Sequence, residues 1–166
     1  MNVVLIGYRG TGKSAVAHRV AKALGLVVVS LDAELVEAAR KSIPEIVSER
    51  GWPGFRDLEE EVVRTFAACD GQVLDCGGGV VERENNHETL RRCGWVVWLT
   101  ATVETIARRI ADDDQRPSLT GRSFTDEVAE VLERRTPLYR QLAHHEVATD
   151  DRDLDAIASE IVRLVR

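Results

Sequence analysis

The chain contains a glycine-rich segment whose residue types are those that hold a phosphate. Residues 7–14 read Gly-Tyr-Arg-Gly-Thr-Gly-Lys-Ser and match the pattern G-x-x-x-x-G-K-[ST] in full. Glycines let the backbone turn so that its N–H groups point inward at an anion. A helix that begins after the loop adds the positive end of its dipole. The pattern predicts a nucleotide site in which Lys13 reaches the β- and γ-phosphates and the Ser14 hydroxyl holds Mg²⁺.

The phosphate-binding backbone is predicted to come from the loop and the first residue after it. These residues are Gly10, Thr11, Gly12, Lys13, Ser14 and Ala15.

A phosphate loop is shared by kinases, GTPases, motors and regulatory modules, so other features must separate these classes. A GTP switch usually carries an N-K-x-D motif, and none of the asparagines, Asn2, Asn85 and Asn86, precedes a lysine. A small-molecule kinase needs a carboxylate near the metal and the attacking hydroxyl, and it needs groups that hold the acceptor in line. It also needs a lid, because otherwise water would hydrolyse ATP.

Two carboxylates follow the second predicted strand, at residues 26–31. Asp32 comes directly after that strand, and Glu34 lies two residues on. Because strand C-termini form the ligand crevice of open α/β sheets, the pair could serve Mg²⁺ (through water) and the acceptor hydroxyl. The alternative is that Asp32 only caps the helix that follows.

Three consecutive glycines and one polar segment complete the candidates. The three glycines, Gly77, Gly78 and Gly79, have no side chains, so a ligand can lie against their backbone. Ordering glycines costs much conformational entropy, so three in a row favour a ligand contact over a simple flexible turn. The polar segment 112–124 is predicted to be a lid, because its Arg116 could spread charge on the transferring phosphoryl group. A solvated loop is the alternative for this segment, since arginines are abundant in the chain.

Short apolar runs alternate with segments of helical periodicity, and these elements must position the candidate residues. Strands are predicted at 3–6, 26–31, 73–75, 95–99 and 145–148. Helices are predicted at 15–24, 33–41, 42 or 44 to 49, 59–68, 85–92, 103–110, 125–135 and 154–165. Fully apolar strands between helices indicate a parallel sheet covered on both faces.

Length and composition limit the class of protein. The 166 residues, 44% hydrophobic and 30% charged, fit one compact domain with a real core. A net charge of −6 argues against a nucleic-acid partner. No apolar run approaches the ~20 residues of a bilayer span, and no leader-like segment follows Met1, so neither a membrane partner nor a secreted location is expected. Cys69, Cys76 and Cys93 lack metal-ligand spacing and predict reduced thiols in the cytoplasm.

Taken together, these segments resemble the shikimate kinase family along essentially the whole chain. The matching stretches are Gly7–Ser14, Leu31-Asp32-Ala33-Glu34, Gly54-Phe55-Arg56-Asp57-Leu58-Glu59, Gly77-Gly78-Gly79, Gln115-Arg116-Pro117-Ser118-Leu119 and Arg135-Thr136-Pro137-Leu138-Tyr139. The resemblance implies an α/β, three-layer phosphate-loop fold of the nucleoside-monophosphate-kinase type with a five-stranded parallel sheet. It implies a single domain over residues 1–166, with a small substrate-binding subdomain at about 32–60 and a lid at about 112–124.

The activity that this resemblance implies is transfer of the ATP γ-phosphoryl group to the 3-hydroxyl of shikimate, with Mg²⁺, on the route to chorismate and the aromatic amino acids. It implies that Arg56 and Arg135 bind the substrate carboxylate, which suits the bidentate guanidinium fork. It also implies that Gly77, Gly78 and Gly79 line the substrate ring. The family is commonly monomeric, so a monomer is expected.

The remaining roles are implied in the same way. Lys13, Asp32 and Arg116 form the catalytic set, with Asp32 near Mg²⁺ and as the candidate base. Arg116 is expected to reach the phosphates from the lid. Arg109 is expected to stack on adenine, and Glu59 to steady Arg56.

One position departs from the family pattern. The family usually has Asp-x-Asp where this chain has Asp32-x-Glu34. The second acid of the family hydrogen-bonds ring hydroxyls, so Glu34 is predicted to bind a substrate hydroxyl from a longer side chain. This change keeps a second interpretation open, a kinase of the same fold that acts on another small hydroxy acid or a nucleotide. A third, a non-catalytic nucleotide-binding module, has no need for Lys13, Ser14 and Arg116 together with Asp32.

Overall fold

A computed structural model describes residues 1–111 and 124–166 of the chain. The strands are β1 (Asn2–Ile6), β2 (Val27–Ser30), β3 (Gln72–Asp75), β4 (Gly94–Thr100) and β5 (His145–Ala148). The helices are α1 (Lys13–Leu24), α2 (Leu31–Ala39), α3 (Ile43–Ala67), α4 (Glu84–Cys93), α5 (Val103–Ile110), α6 (Phe124–Leu142) and α7 (Leu154–Val165), with a 3₁₀ turn at Val80–Glu82. All strand pairs are parallel, in the order β2-β3-β1-β4-β5. The predicted α/β class and five-stranded parallel sheet are confirmed.

Helices cover both faces of this sheet, which explains its continuous apolar strands. Successive residues of β1 point to opposite faces. Val3 and Leu5 join the core cluster with α1 and α7, whereas Val4 and Ile6 join the cluster with α2, α3, α4 and α6. Every residue of β1 is buried, so neither face of the strand carries the polar alternation of a half-exposed strand.

The strand order fixes where a ligand can bind. β1 lies at the centre of the sheet, with β3 on one side and β4 on the other. From β1 the chain continues to β2, at one edge of the sheet, and then returns to β3 beside β1. The later strands β4 and β5 lie on the other side of β1. The direction in which successive strands are added to the sheet therefore reverses beside β1. Ligands of open α/β sheets bind at the carboxyl ends of strands at such a point. The phosphate loop follows β1 there, and the three glycines follow β3.

The second strand is shorter than the sequence predicts. β2 ends at Ser30, which is the N-cap of α2, and the Ser30 hydroxyl accepts a hydrogen bond from the Ala33 N–H at 3.3 Å. The apolar Leu31 suggests a strand residue, but it lies on the buried side of the first helical turn. The prediction that Asp32 ends the strand is therefore wrong, because Asp32 lies in the first turn of α2. Ser30, not Asp32, accepts the capping hydrogen bond.

Two helices differ from the predicted ones because of glycine and proline. The separate helices predicted at 42–49 and 59–68 are parts of α3, which breaks at Gly51 (φ 68°) and resumes with Pro53 near the start of its second segment. α6 continues past Pro137 to Leu142 instead of ending at residue 135. The predicted lid at 112–124, including Arg116, lies outside the described residues except for the first residue of α6.

Candidate functional site

The phosphate loop runs from the end of β1 to the start of α1. Gly10 (φ 81°) and Gly12 (φ 87°) take left-handed backbone angles that other residues rarely adopt. Gly12 is the N-cap of α1, and no side chain of residues 1–111 and 124–166 caps this helix. The first N–H groups of α1 therefore remain available to an anion in the loop.

Lys13 lies within the loop, as its pattern predicts. Its ammonium donates hydrogen bonds to the carbonyls of Gly7 at 2.9 Å and Tyr8 at 3.0 Å. The Thr11 hydroxyl donates to the same Tyr8 carbonyl at 2.8 Å. The lysine is 7% exposed, so its charge is concentrated inside the loop. This arrangement puts a cation where the phosphates of a nucleotide would bind.

Arg109 holds the outer side of the loop. The guanidinium donates to the Gly10 carbonyl at 3.0 Å and to the Thr149 carbonyl at 3.4 Å, and so it links α5 to the loop and to the segment after β5. A Cβ on Gly10 would lie 2.7 Å from Ile110 Cγ2. The helix that carries Arg109 thus packs directly on the loop, which is compatible with the predicted adenine contact.

Ser14 faces a carboxylate that ends β3. Its hydroxyl donates to Asp75 Oδ2 at 2.5 Å. Burial raises the pKa of Asp75, while the Ser14 hydrogen bond and the Lys13 charge oppose the shift and the nearby Asp32 charge adds to it. Two carboxylates therefore lie close enough to repel each other beside the predicted metal-binding hydroxyl. Oxygen donors of this kind suit Mg²⁺.

Two of the three glycines, Gly78 and Gly79, lie against guanidinium groups. A Cβ on Gly79 would lie 2.1 Å from Arg56 Nη2, and a Cβ on Gly78 would lie 3.4 Å from Arg135 Nη1. Gly79 has φ −92°, so its backbone angle does not require glycine. The close approach of the Arg56 guanidinium is the reason that this position requires glycine. The structure thus brings the glycines and both predicted carboxylate-binding arginines together.

Arg56 is held by a buried ion pair. Its Nη1 donates to Glu59 Oε1 at 2.8 Å, and the two side chains are 9% and 3% exposed. The guanidinium carbon also lies 5.3 Å from the Trp52 ring centroid and 5.2 Å from that of Phe55. Glu59 contacts Arg56 as predicted. The aromatic rings restrict the guanidinium further and lower its exposure to water.

Arg135 is held by Glu82, and it also interacts with Tyr8 and Tyr139. Its Nε donates to Glu82 Oε1 at 2.7 Å, and its guanidinium carbon lies 5.7 Å from the Tyr8 ring centroid. Tyr139, one helical turn after Arg135, donates its hydroxyl to the Gly78 carbonyl at 2.5 Å. Burial alone would raise the pKa of Glu82, but the hydrogen bond and charge of Arg135, with the charge of Arg134, lower it. Sequence reasoning missed Glu82, since its position after the glycines gives no sign of a partner on α6.

A cleft of about 490 Å³ joins the loop to the glycines. Among the predicted site residues, its lining includes Gly10, Gly12, Lys13, Ser14, Ala15, Asp32, Gly77 and Gly78. Thr11 is buried within the loop. Glu34 is half-buried on α2 and does not line this cleft.

Arg9 also lines the cleft, although sequence reasoning passed over it as a variable position of the loop pattern. Its Nη1 atom is buried, and it has no hydrogen-bond partner among the described residues. Arg9 and Lys13 therefore supply two cationic groups from the loop to this cleft, whereas Arg56 and Arg135 lie beside Gly79 and Gly78 and are not among its lining residues.

The fold and this cleft define a class of protein, a phosphate-loop kinase with a second anion-binding region beside the nucleotide loop. The comparisons with known proteins identify the family. The shikimate kinase family model matches residues 9–166, and the chain belongs to this family.

Named relatives are similar in sequence to nearly the whole chain. A shikimate kinase of Nitratidesulfovibrio vulgaris is 41% identical over 98% of this chain and 94% of its own length. One of Rhodopirellula baltica is 39% identical over 98% of this chain and 89% of its own length. The structure of an Acinetobacter baumannii shikimate kinase in complex with shikimate superposes with a TM-score of 0.95, at 32% identity, covering 99% of this chain and 92% of the other.

Within the described residues, 1–111 and 124–166, no helix has both the length and the apolar character needed to cross a membrane.

Proposed function

We propose that the protein transfers the γ-phosphoryl group of ATP to the 3-hydroxyl of shikimate. The observation that carries the proposal is the pair of buried guanidinium groups, Arg56 and Arg135, over the glycines that adjoin the phosphate loop. An acceptor with a carboxylate could bind these two groups while its hydroxyl points toward the nucleotide phosphates. Membership of the family and the shikimate complex of a relative support this acceptor.

The geometry supports the acceptor-binding roles that we propose. Arg56 and Arg135 bind the carboxylate bidentately, because each guanidinium is fixed by its own carboxylate and presents its remaining N–H groups. Gly77, Gly78 and Gly79 let the ring approach the backbone. Glu34, half-buried on α2, adds a hydrogen bond to a ring hydroxyl.

The phosphate-side roles use positioning and charge more than covalent chemistry. Lys13 binds the transferring phosphate, and Asp32 accepts the proton of the attacking hydroxyl. Arg116 reaches the phosphates from the lid, and Arg109 stacks on adenine. Mg²⁺, when bound, neutralises phosphate charge, and Ser14 and Asp32 are its predicted protein donors. The Ser14 hydroxyl beside the Asp75 carboxylate, with Asp32 lining the same cleft, fits such an ion.

The wider organisation belongs to the same proposal. Residues 1–166 act as one domain, with the acceptor subdomain at about 32–60 and a lid at about 112–124. The protein acts as a monomer in the cytoplasm. The three free cysteines support the cytoplasmic location, because thiols stay reduced there. Light scattering of the purified protein tests the monomer.

The experiment that tests the function is ADP release in a coupled assay with MgATP and a panel of acceptors. The panel contains shikimate, quinate, gluconate, AMP, CMP and no acceptor, and Lys13→Ala serves as the inactive control. We expect turnover with shikimate that exceeds every other acceptor by at least 100-fold. Equal turnover with another acceptor, or with none, would contradict the assignment and favour an acceptor site rebuilt around Glu34.

A further inference from the structure

The end of β3 carries a buried carboxylate, Asp75, to which the phosphate-loop pattern assigns no role. Asp75 is 7% exposed, lines the cleft, and accepts the hydrogen bond of the Ser14 hydroxyl. We propose that Asp75, with Ser14, supplies the protein donors for Mg²⁺ and that Asp32 serves the acceptor hydroxyl instead. This inference rests on the proposed kinase function and changes which acid of the cleft holds the metal.

Strand pairing places Asp75 between the loop and the end of β2. Its partners across the sheet are Leu5 in β1 and Ser30 in β2. Because β1 leads into the phosphate loop, Asp75 is on the strand next to the one that positions Ser14. The residue at the same level on β2 is the hydroxyl-bearing Ser30. The acid at this edge of the sheet therefore comes from β3, although the sequence predicts it from β2.

Asp32 has a different position in the same cleft. It lies beyond the end of β2, in the first turn of α2, and it is half-buried. Ser30 provides the capping hydrogen bond of that helix, so Asp32 is not required as the cap. Asp32 lines the cleft from the first turn of α2, the helix that begins the predicted acceptor subdomain.

The chemistry of Mg²⁺ fits a small donor set at Ser14 and Asp75. This ion keeps several waters and usually takes one or two carboxylates together with substrate phosphates. In the two described parts of the chain, no group of three or more His, Cys, Asp or Glu side chains could hold a metal by itself. The two protein donors therefore need the nucleotide phosphates to complete the site, so metal affinity should depend on bound nucleotide.

The test compares two isosteric variants, Asp75→Asn and Asp32→Asn, by a measurement that needs no acceptor. Mn²⁺ is titrated into the protein–ADP complex, and free Mn²⁺ is measured from its EPR signal. ADP affinity in EDTA is measured by calorimetry on the same samples, as the control for folding and for the nucleotide loop. We expect Asp75→Asn to weaken Mn²⁺ binding at least tenfold, Asp32→Asn to weaken it less than threefold, and ADP affinity in EDTA to stay within threefold in both.

The inference would be overturned if Asp75→Asn bound Mn²⁺ as tightly as the wild type. It would also be overturned if Asp32→Asn lost more Mn²⁺ affinity than Asp75→Asn. If Asp75→Asn does not bind ADP in EDTA, Asp75→Ser replaces it, and the same criteria apply. The result is independent of the acceptor. A protein that shows the expected Mn²⁺ pattern but does not phosphorylate shikimate would contradict the proposed function and leave the metal assignment standing.

Discussion

Arg135 donates from its Nε to Glu82 Oε1 at 2.7 Å, across the gap between α6 and the 3₁₀ turn that follows the glycines. The Arg135 side chain is 5% exposed and that of Glu82 is 24% exposed, so the pair is largely shielded from solvent. Glu82 thus fixes the direction in which the guanidinium faces Gly78. Its role is positioning, because it acts on the acceptor through Arg135.

Glu82→Gln tests this positioning role. The amide keeps the shape but removes the charge-assisted hydrogen bond, which is worth about 1.5–3 kcal/mol, so we expect KM for shikimate to rise on the order of tenfold. We expect kcat to change less than threefold, since the phosphate side is untouched. Steady-state kinetics measures both. Arg134→Ala is the matched control, because the exposed Arg134 also donates to Glu82 but does not face the glycines. An equal fall in kcat would show that Glu82 acts on the chemical step.

The same pair predicts a pH dependence of stability. The folded protein lowers the pKa of Glu82 below its ordinary value, so the ionised form stabilises the fold. This contribution is complete above the unfolded pKa of about 4.3 and is lost as the pH falls through the lower folded pKa. We therefore expect the difference in free energy of unfolding between wild type and Glu82→Gln to shrink below about pH 4. Urea unfolding at a series of pH values measures it, and a constant difference would refute the assignment.

Gly79→Ala tests why the glycines are required. The added methyl group would lie 2.1 Å from Arg56 Nη2, and this guanidinium is held by Glu59 and by the Trp52 and Phe55 rings, so it cannot move aside freely. We expect kcat/KM for shikimate to fall at least 100-fold, with ADP affinity unchanged. Gly78→Ala is the graded comparison, because its nearest neighbours lie at 3.3–3.4 Å and a smaller loss is expected. Similar losses in both variants would mean that local backbone freedom, not the Arg56 contact, requires glycine.

Glu59→Gln tests the buried ion pair on α3. Removing one charge leaves the buried Arg56 without its ion-pair partner, which typically costs about 3–5 kcal/mol. For a chain of this size, in which 1 kcal/mol shifts Tm by about 2–4 °C, we expect Tm to fall by roughly 6–20 °C. Calorimetry measures it, and Glu49→Gln in the exposed pair with Lys41 is the control, with a loss under about 1 kcal/mol. A loss in Glu59→Gln no greater than that of the control would show that the pair does not stabilise the fold.

Local patterns were sufficient to predict the sheet and the phosphate loop. The apolar run before Gly7 and the pattern around Lys13 depend only on residues that are close in sequence. The Ser30–Asp75 register and the Glu82–Arg135 contact join residues that are far apart in sequence, and no local pattern encodes such a contact. The same limit explains α6, where Pro137 indicates a helix end but packing continues the helix to Leu142.

The extension of α6 makes Tyr139 part of the site, and Tyr139→Phe tests its contribution. Its hydroxyl donates to the Gly78 carbonyl from a fully buried ring that stacks on Trp98. Burial raises the pKa of Tyr139 to about 12, so the folded protein retains the phenol proton more tightly than the unfolded chain, whose tyrosine pKa is about 10.

The stability from this phenol is therefore complete below about pH 10 and is lost as the pH rises toward 12, by about 3 kcal/mol in total. At pH 7.5 we expect Tyr139→Phe to unfold about 1–2 kcal/mol more easily, because the Gly78 carbonyl loses its donor. Between pH 10 and 12 the wild type should lose this advantage, since Phe cannot ionise. Chemical unfolding at pH 7.5, 9, 10 and 11 measures the difference, and Tyr8→Phe controls for the other buried tyrosine near Arg135. A difference that is independent of pH would place the alkaline transition elsewhere in the protein.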